Sequence, residues 1–420
     1  MRIERPLYLK RLVQREGNGM AKVVTGIRRC GKSYLLFNIF REHLLESGIP
    51  ADHIIGVDLD GIENADLRSA RVLYDYIKSR LPDDGAENPV FVLIDEIQYV
   101  DGFADVVNGL MRLPGVDVYI TGSNSRFLST DVLTEFRGRG DEVRVRPLSF
   151  LEYLPAHGGT RQQAWEDYYT FGGMPLVLSQ ADEVAKTDYL KSLFDAVYLR
   201  DICDRYHLRH DDDLDTLVDI LASATGSLTN PHRLENTFKS VQNKTVTDKT
   251  LKTYLDYLED AFLIEDAPQY DIRGRKHIDS PRKYYFSDVG LRNARLGFRE
   301  QDENHIMENV IYNELRVRGY SVDVGVVDVT ETREGGKRMR KRLEVDFVAR
   351  RGNDQCYIQS AFALPTAEKA EQETRSLRKT GDSFRKYVIV GDSIKSKRDN
   401  DGIVTMGLLD FLLDPESLNR

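Results

Sequence analysis

Cysteine is scarce in this 420-residue chain: Cys30, Cys203 and Cys356 stand far apart, with none of the paired spacings that hold zinc or frame a disulfide scaffold. A reducing, cytoplasmic setting is the simplest expectation. No apolar run approaches the ~20 residues that cross a bilayer. Met1-Arg2-Ile3-Glu4-Arg5-Pro6 leads into an amphipathic stretch, Leu7 to Val13, without the apolar core of an export signal, so no membrane partner is expected. Internal repeats and low-complexity tracts are missing too. Nor is there an excess of positive charge: 59 Lys and Arg against 68 Asp and Glu leave −9, which excludes nonspecific wrapping of nucleic acid by the whole surface but not a local basic patch.

What remains is ordinary globular material, 41% hydrophobic and 30% charged, in a chain too long for one core. About two to four domains are expected. From about residue 17 to 150 strand-like and helix-like segments alternate, as in a parallel α/β sheet. The expected strands are Lys22 to Thr25, Ile54 to Asp58, Val90 to Asp95, Val116 to Thr121 and Glu142 to Arg146. Helices are expected before Gly48, from Leu67 to Leu81, from Phe103 to Leu113, and near Ser129 to Phe136.

The most specific local pattern is Gly26-Ile27-Arg28-Arg29-Cys30-Gly31-Lys32-Ser33, with Tyr34 after it. It is a complete G-x4-G-K-S loop between a strand and a helix. Glycines let successive N–H groups turn toward phosphate, the Lys32 ammonium reaches the β and γ oxygens, and the Ser33 hydroxyl suits Mg²⁺. The apolar run Val90 to Ile94 ends in Asp95-Glu96, the form of a buried parallel strand whose tip enters a site. Asp95 is expected to hold the metal, directly or through water, and Glu96 to orient the attacking water. A bound nucleoside triphosphate and Mg²⁺ are therefore the expected cofactors. Nothing resembles the Asn-Lys-x-Asp run that reads guanine.

Thr121-Gly122-Ser123-Asn124-Ser125 follows a strand and offers a hydroxyl or amide, Ser123 first, to sense the γ-phosphate; a plain Gly-Ser-Asn turn fits equally. Arg137-Gly138-Arg139-Gly140 offers a guanidinium for the γ-phosphate of a neighbouring copy, although solvated surface arginines are the plain alternative.

Together with Pro147-Leu148-Ser149-Phe150-Leu151-Glu152-Tyr153 and Gly172-Gly173-Met174-Pro175, these motifs make the chain resemble, over nearly its whole length, AAA+-type P-loop ATPases of archaea and bacteria that carry a C-terminal domain of unknown function. The doubled arginine, Asp95-Glu96-Ile97-Gln98 and the Pro-Leu-Ser-Phe-x-Glu-Tyr run carry most of the specificity. The resemblance makes the nucleotide ATP and implies an AAA+-like core over 1–147, with Lys32 and Glu96 catalytic, a sensor among Ser123 to Ser125, and Arg139 as arginine finger. It also implies a helical lid over 148–210. There Asp201 and Arg205, one turn apart, are read as an intrahelical pair.

Residues 211–286 resemble a winged helix: a helix from Thr247 to Ala261 with Leu251, Tyr254, Leu255 and Leu258 inward, then wing strands at Phe262-Leu263-Ile264 and Lys283-Tyr284-Tyr285-Phe286. Lys244, Lys249 and Lys252 would meet DNA phosphates, but Asp248, Asp256, Glu259 and Asp260 dilute that charge. Residues 287–420 resemble a restriction-endonuclease-like PD-(D/E)xK core, with Glu308 and Glu314 on a helix and Asp346 on a strand. Gln359 stands where a metal-binding acid is required and Ala361 where the water-positioning lysine is required, so cleavage is not expected. The basic run over 333–342 is a second candidate DNA contact or a solvated hairpin. A short packing helix is expected at Leu408 to Leu413. The expected activity is Mg-dependent ATP hydrolysis coupled to domain rearrangement, with DNA, a protein partner or a homo-oligomer as candidate associates. Alternatives are an ATP-regulated nuclease and a nucleotide-switched adaptor with little turnover.

Overall fold

The computed structural model describes residues 2–82, 88–122, 136, 138–208, 212–242, 246–299, 302–332 and 338–419. The chain divides into two compact units, Met1–Pro147 with Asp260–Phe262, and Leu148–Glu259 with Leu263–Arg420.

In the first unit five parallel strands stand in the order β2-β3-β4-β1-β5. They are β1 (Ala21–Thr25), β2 (Ile54–Asp58), β3 (Val90–Asp95), β4 (Val116–Thr121) and β5 (Gly140–Arg144). β1 and β3 are buried along their whole length, because helices cover both faces of the sheet. On one face Val23, Val92, Ile94 and Ile120 pack with Leu73 and Ile77 from the helix Ala70–Lys78 and with Val107 and Leu110 from the helix Phe103–Leu110. On the other, the Phe40 ring, from the helix that continues out of the phosphate loop, lies 4.7 Å from the Tyr119 ring.

Both helices are shorter than the apolar spacing suggests. Ser69 forms a bridge with Asp101, which delays the first to Ala70, and Leu113 falls in a turn closed by Gly115 at φ +71°. β5 starts and stops two residues early. Beyond Val145 the Arg146 backbone is spent on Arg5 and on the Tyr8 hydroxyl instead of the ladder. Of the helix expected at Ser129 to Phe136, only Phe136 lies within the described residues; it is buried against Phe103.

The second unit carries helices and an eight-stranded mixed sheet, β12-β13-β11-β10-β9-β8-β6-β7. Its strands are β6 (Ile264–Asp271), β7 (Lys276–Phe286), β8 (Ser321–Thr332), β9 (Arg338–Arg351), β10 (Asp354–Ala361), β11 (Arg385–Val390), β12 (Lys397–Arg398) and β13 (Val404–Gly407). Of the two runs read as wings, Phe262 and Leu263 lie in the turn before β6 and only Ile264 belongs to it, whereas Lys283–Phe286 is the end of β7; β6 and β7 pair antiparallel and β6 also pairs parallel with β8, so the hairpin is part of the large sheet. Asp248–Asp260 is the helix that precedes it, with Thr247 accepting the Thr250 N–H and Leu251, Tyr254, Leu255 and Leu258 buried. Lys249 and Lys252 are exposed; Lys244 lies outside the described residues. Asp201 and Arg205 are paired at 2.6 Å along one helix. A short helix spans Leu408–Leu413.

Two sequence motifs have structural roles here. Ser149 begins the helix Phe150–His157 with a capping box: its side chain takes the Glu152 N–H while the Glu152 carboxylate takes the Ser149 N–H. Gly172-Gly173 meets Asp288-Val289-Gly290 without room for side chains. A Cβ on Gly172 would lie 2.1 Å from the Asp288 carboxylate, and one on Gly290 would lie 2.0 Å from the Phe171 carbonyl oxygen. Asp288 caps the helix Val289–Arg295 through the Leu291 N–H and also accepts the Gly173 N–H at 2.7 Å. Burial pushes its carboxyl up to about 6 against those backbone bonds.

Candidate functional site

β1 delivers Gly26 to the carboxyl end of the parallel sheet, where an open α/β fold binds ligands. Gly26 has φ +138°, and a Cβ there would sit 2.0 Å from the Val145 carbonyl oxygen, so only glycine lets the loop pass this close to the chain leaving β5. Gly31 at φ +99° turns the chain into the helix that starts at Lys32. Ile27 and Cys30 are buried, Arg28 is half-buried, and Arg29, Ser33 and Tyr34 are exposed. Lys32 is buried and donates to the Gly26 carbonyl at 3.0 Å and the Ile27 carbonyl at 3.2 Å, which holds its ammonium on the loop backbone. The Cys30 thiol donates to the Val145 carbonyl at 3.5 Å and acts as packing.

One residue without any local sequence signal fastens this loop from behind. Arg5 is buried and donates to the Cys30 carbonyl at 3.1 Å and to the Arg146 carbonyl at 2.7 Å, with its guanidinium 4.5 Å from the Tyr8 ring centre. Its partners lie 25 and 141 residues away.

At the tip of β3, Asp95 is buried and bonded by two hydroxyls, those of Thr121 and Ser33. Burial pushes its carboxyl up, and the Thr121 and Ser33 hydrogen bonds offset part of that rise. The Thr121 hydroxyl, at the end of β4, also accepts the Glu96 N–H at 3.0 Å. Glu96 has φ +50°, a left-handed conformation that costs a non-glycine residue about 1 kcal/mol. Thr121 therefore holds the Asp-Glu turn in shape, a coupling that its place in the Thr-Gly-Ser-Asn-Ser run does not reveal. The Gln98 amide bonds the Glu96 carboxylate.

These oxygens suit a hard divalent cation. Ser33 and Asp95 are already within hydrogen-bond reach of each other. Loop, Lys32, Ser33, Asp95 and Glu96 are brought to one end of the sheet. Arg139 is not: it is exposed and precedes β5, whose first residue pairs with the first residue of β1, five residues before the loop. Ser123, with Asn124 and Ser125, lies outside the described residues, as does Arg137.

In the second unit, Glu308 of the helix Glu303–Val317 and Asp346 of β9 do come together, around a lysine from β7. The buried Lys283 ammonium lies 2.8 Å from Glu308, 2.7 Å from Glu344 and 3.6 Å from Asp346. Tyr285 donates to Glu308 at 2.6 Å and the Ser360 N–H to Asp346 at 2.8 Å. Burial and the neighbouring Glu308 charge raise Asp346 to about 8 despite Lys283. Glu314 is elsewhere, paired to Arg318 at 2.6 Å, and burial raises it to about 7. The Ser376 hydroxyl donates to the Gln359 side-chain oxygen at 3.4 Å, and Ala361 is buried in the core of the sheet. Lys283 was hidden in an aromatic strand sequence. Residues 333–337 of the basic run lie outside the described residues, and Arg340 and Arg342 both pair with Asp328 across the β8–β9 hairpin.

Comparison with known proteins gives two family matches. Residues 18–154 match the family described as "AAA domain", and residues 162–302 match a domain of unknown function (DUF8612). An uncharacterized protein of Haemophilus influenzae is 34% identical over 416 residues, 98% of each chain. The uncharacterized protein MJ1544 of Methanocaldococcus jannaschii is 28% identical over 374 residues, 85% of this chain and 78% of that one. Among solved structures, Cdc6p from Pyrobaculum aerophilum is similar at 12% identity with a TM-score of 0.30, covering 74% of this chain and 96% of its own. The Aeropyrum pernix ORC1 protein, solved in complex with DNA, is also 12% identical, with a TM-score of 0.26 over 71% and 93%. Superpositions this loose carry no functional argument.

Proposed function

We propose, for a chain that belongs to one family with the Haemophilus influenzae protein and carries an AAA domain over residues 18–154, that it binds ATP with Mg²⁺ and hydrolyses it. The observation that carries this is the Ser33–Asp95–Thr121–Glu96 chain of contacts at the carboxyl end of β3, beside the Gly26–Ser33 loop. The loop N–H groups and Lys32 bind phosphate oxygens, and Ser33 and Asp95 hold the metal. A bound magnesium ion supplies neutralisation of the charge that builds on the phosphoryl oxygens. Glu96, held by Thr121 and Gln98, accepts the proton of the attacking water. A sensor among Ser123 to Ser125 and a finger role for Arg139 complete the proposal. Because Arg139 precedes the start of β5, its target is the nucleotide of another copy, which makes the protein a homo-oligomer.

The remaining parts of the proposal rest on the sequence. Residues 148–210 form a lid, 211–286 a winged helix and 287–420 a nuclease-like domain without cleavage, in a cytoplasmic protein. Turnover drives rearrangement of these parts. DNA is met through the Lys249 and Lys252 helix or the basic run over 333–342, or a protein partner takes their place. Phosphodiester cleavage is left out because Gln359 and Ala361 replace the two residues it needs.

The test is Glu96→Gln in the full chain, separated by size and assayed with and without DNA. It should keep ATP affinity and lose turnover by about 100-fold or more. Unchanged hydrolysis would remove Glu96 from the mechanism, and turnover insensitive to DNA in every size fraction would remove DNA as the coupled partner.

A further inference from the structure

The second unit contains a cavity of about 430 Å³ that neither the nucleotide site nor the lysine–carboxylate cluster uses. Its volume falls within the usual range for small-ligand sites. Three aromatic rings line it: Trp165 and Tyr169 from the helix Arg161–Phe171, and Phe362 just after β10, which is 36% exposed. Three carboxylates share the lining, those of Glu166, Glu303 and Asp392. All three are exposed, and among the described residues none is bridged to a lysine, arginine or histidine. The fourth lining carboxylate, Asp410, is paired with Arg161 at 3.0 Å. The Tyr169 hydroxyl is buried and, among the described residues, has no hydrogen-bond partner.

Aromatic faces attract cations, and uncompensated carboxylates attract them at longer range. We propose that this cavity is a binding site for an organic cation, an alkylammonium or guanidinium group. Three rings would contact its apolar stem while Glu166, Glu303 and Asp392 neutralise its head. The cation is either free, as in a polyamine, or the side chain of a basic segment on a protein partner.

Trp165 is the chain's one tryptophan, so its emission reports on the cavity directly. The full-length protein is titrated with spermidine and, separately, with a short oligo-arginine peptide, against KCl of matched ionic strength. A saturable emission change with either cation is expected, absent with KCl. Glu166→Gln/Glu303→Gln/Asp392→Asn should weaken it at least about tenfold. Phe362→Ala, read the same way, should weaken it severalfold. A control neutralising the exposed Glu63, Asp66 and Glu183 should leave it unchanged. Saturation by spermidine alone assigns a free cation, and tighter saturation by the peptide assigns a partner's side chain. No saturable change with either cation, or equal weakening by the control variant, overturns the proposal.

Discussion

Two carboxylate clusters, one in each unit, are built in opposite ways. At the tip of β3, Asp95 is bonded by two neutral hydroxyls, and among the described residues no cationic side chain is bridged to it. Beside β7, three carboxylates surround an ammonium from the chain itself. Hydroxyls leave a carboxylate free to trade a hydrogen bond for an incoming cation. An internal lysine fills the position such a cation would take. The first arrangement is suited to a metal that comes and goes with nucleotide, the second to a permanent structural contact, even though the second is assembled from the acids that a nuclease-like reading singles out.

The comparison breaks most visibly at Lys283. Lys283→Met removes the ammonium and leaves Glu308, Glu344 and Asp346 without their shared cation. We expect about 3–5 kcal/mol of lost stability by denaturant unfolding at neutral pH, shrinking as falling pH protonates the acids. A mild loss, independent of pH, would mean that the cluster is not a closed ion group. Glu96→Gln is the next largest effect, acting on turnover, since the amide keeps the size and shape of the side chain and can still bond Gln98. Thr121→Val should follow, with turnover down about tenfold and a higher Mg²⁺ requirement, because both Asp95 and the Glu96 N–H lose their shared hydroxyl. Equal kinetics in Thr121→Val and wild type would show that the Asp-Glu turn keeps its shape unaided.

The smallest effect is a slope. Glu314 titrates near 7 in the folded chain against an ordinary 4.5, so the native state keeps a proton that the unfolded state releases between those values. Stability therefore falls as pH rises through that window and then levels. Glu314→Gln should flatten the curve by about 1 kcal/mol or more, leaving the contributions of Asp288, raised to about 6, and of Asp346, raised to about 8. A curve with the wild-type slope would place the titration elsewhere.

How much of this could be read from the sequence depended on range. Four strands of the first sheet were visible as apolar, β-branched runs and β5 only two residues out of place, with the loop and Asp95-Glu96 visible as short motifs, because periodicity and local spacing are properties of neighbours. The Pro-Leu-Ser-Phe-x-Glu-Tyr and Gly-Gly runs were visible as patterns, but not as a capping box and a close approach to Asp288. Only the folded chain shows which backbone groups they satisfy. Arg5 and Lys283 gave no signal at all. Each acts through partners brought close by tertiary packing alone, and a lone arginine before a proline or a lysine before two tyrosines is unremarkable by itself.

The Arg5 strap also sets an order in time. Its guanidinium leaves a ribosome before the Arg146 carbonyl it must grip, which is 141 residues behind. At about 5–20 residues per second that gap lasts on the order of ten seconds. Throughout that wait the phosphate loop is already synthesised but unbraced, so nucleotide affinity should emerge late during translation, only once the turn after β5 has been made.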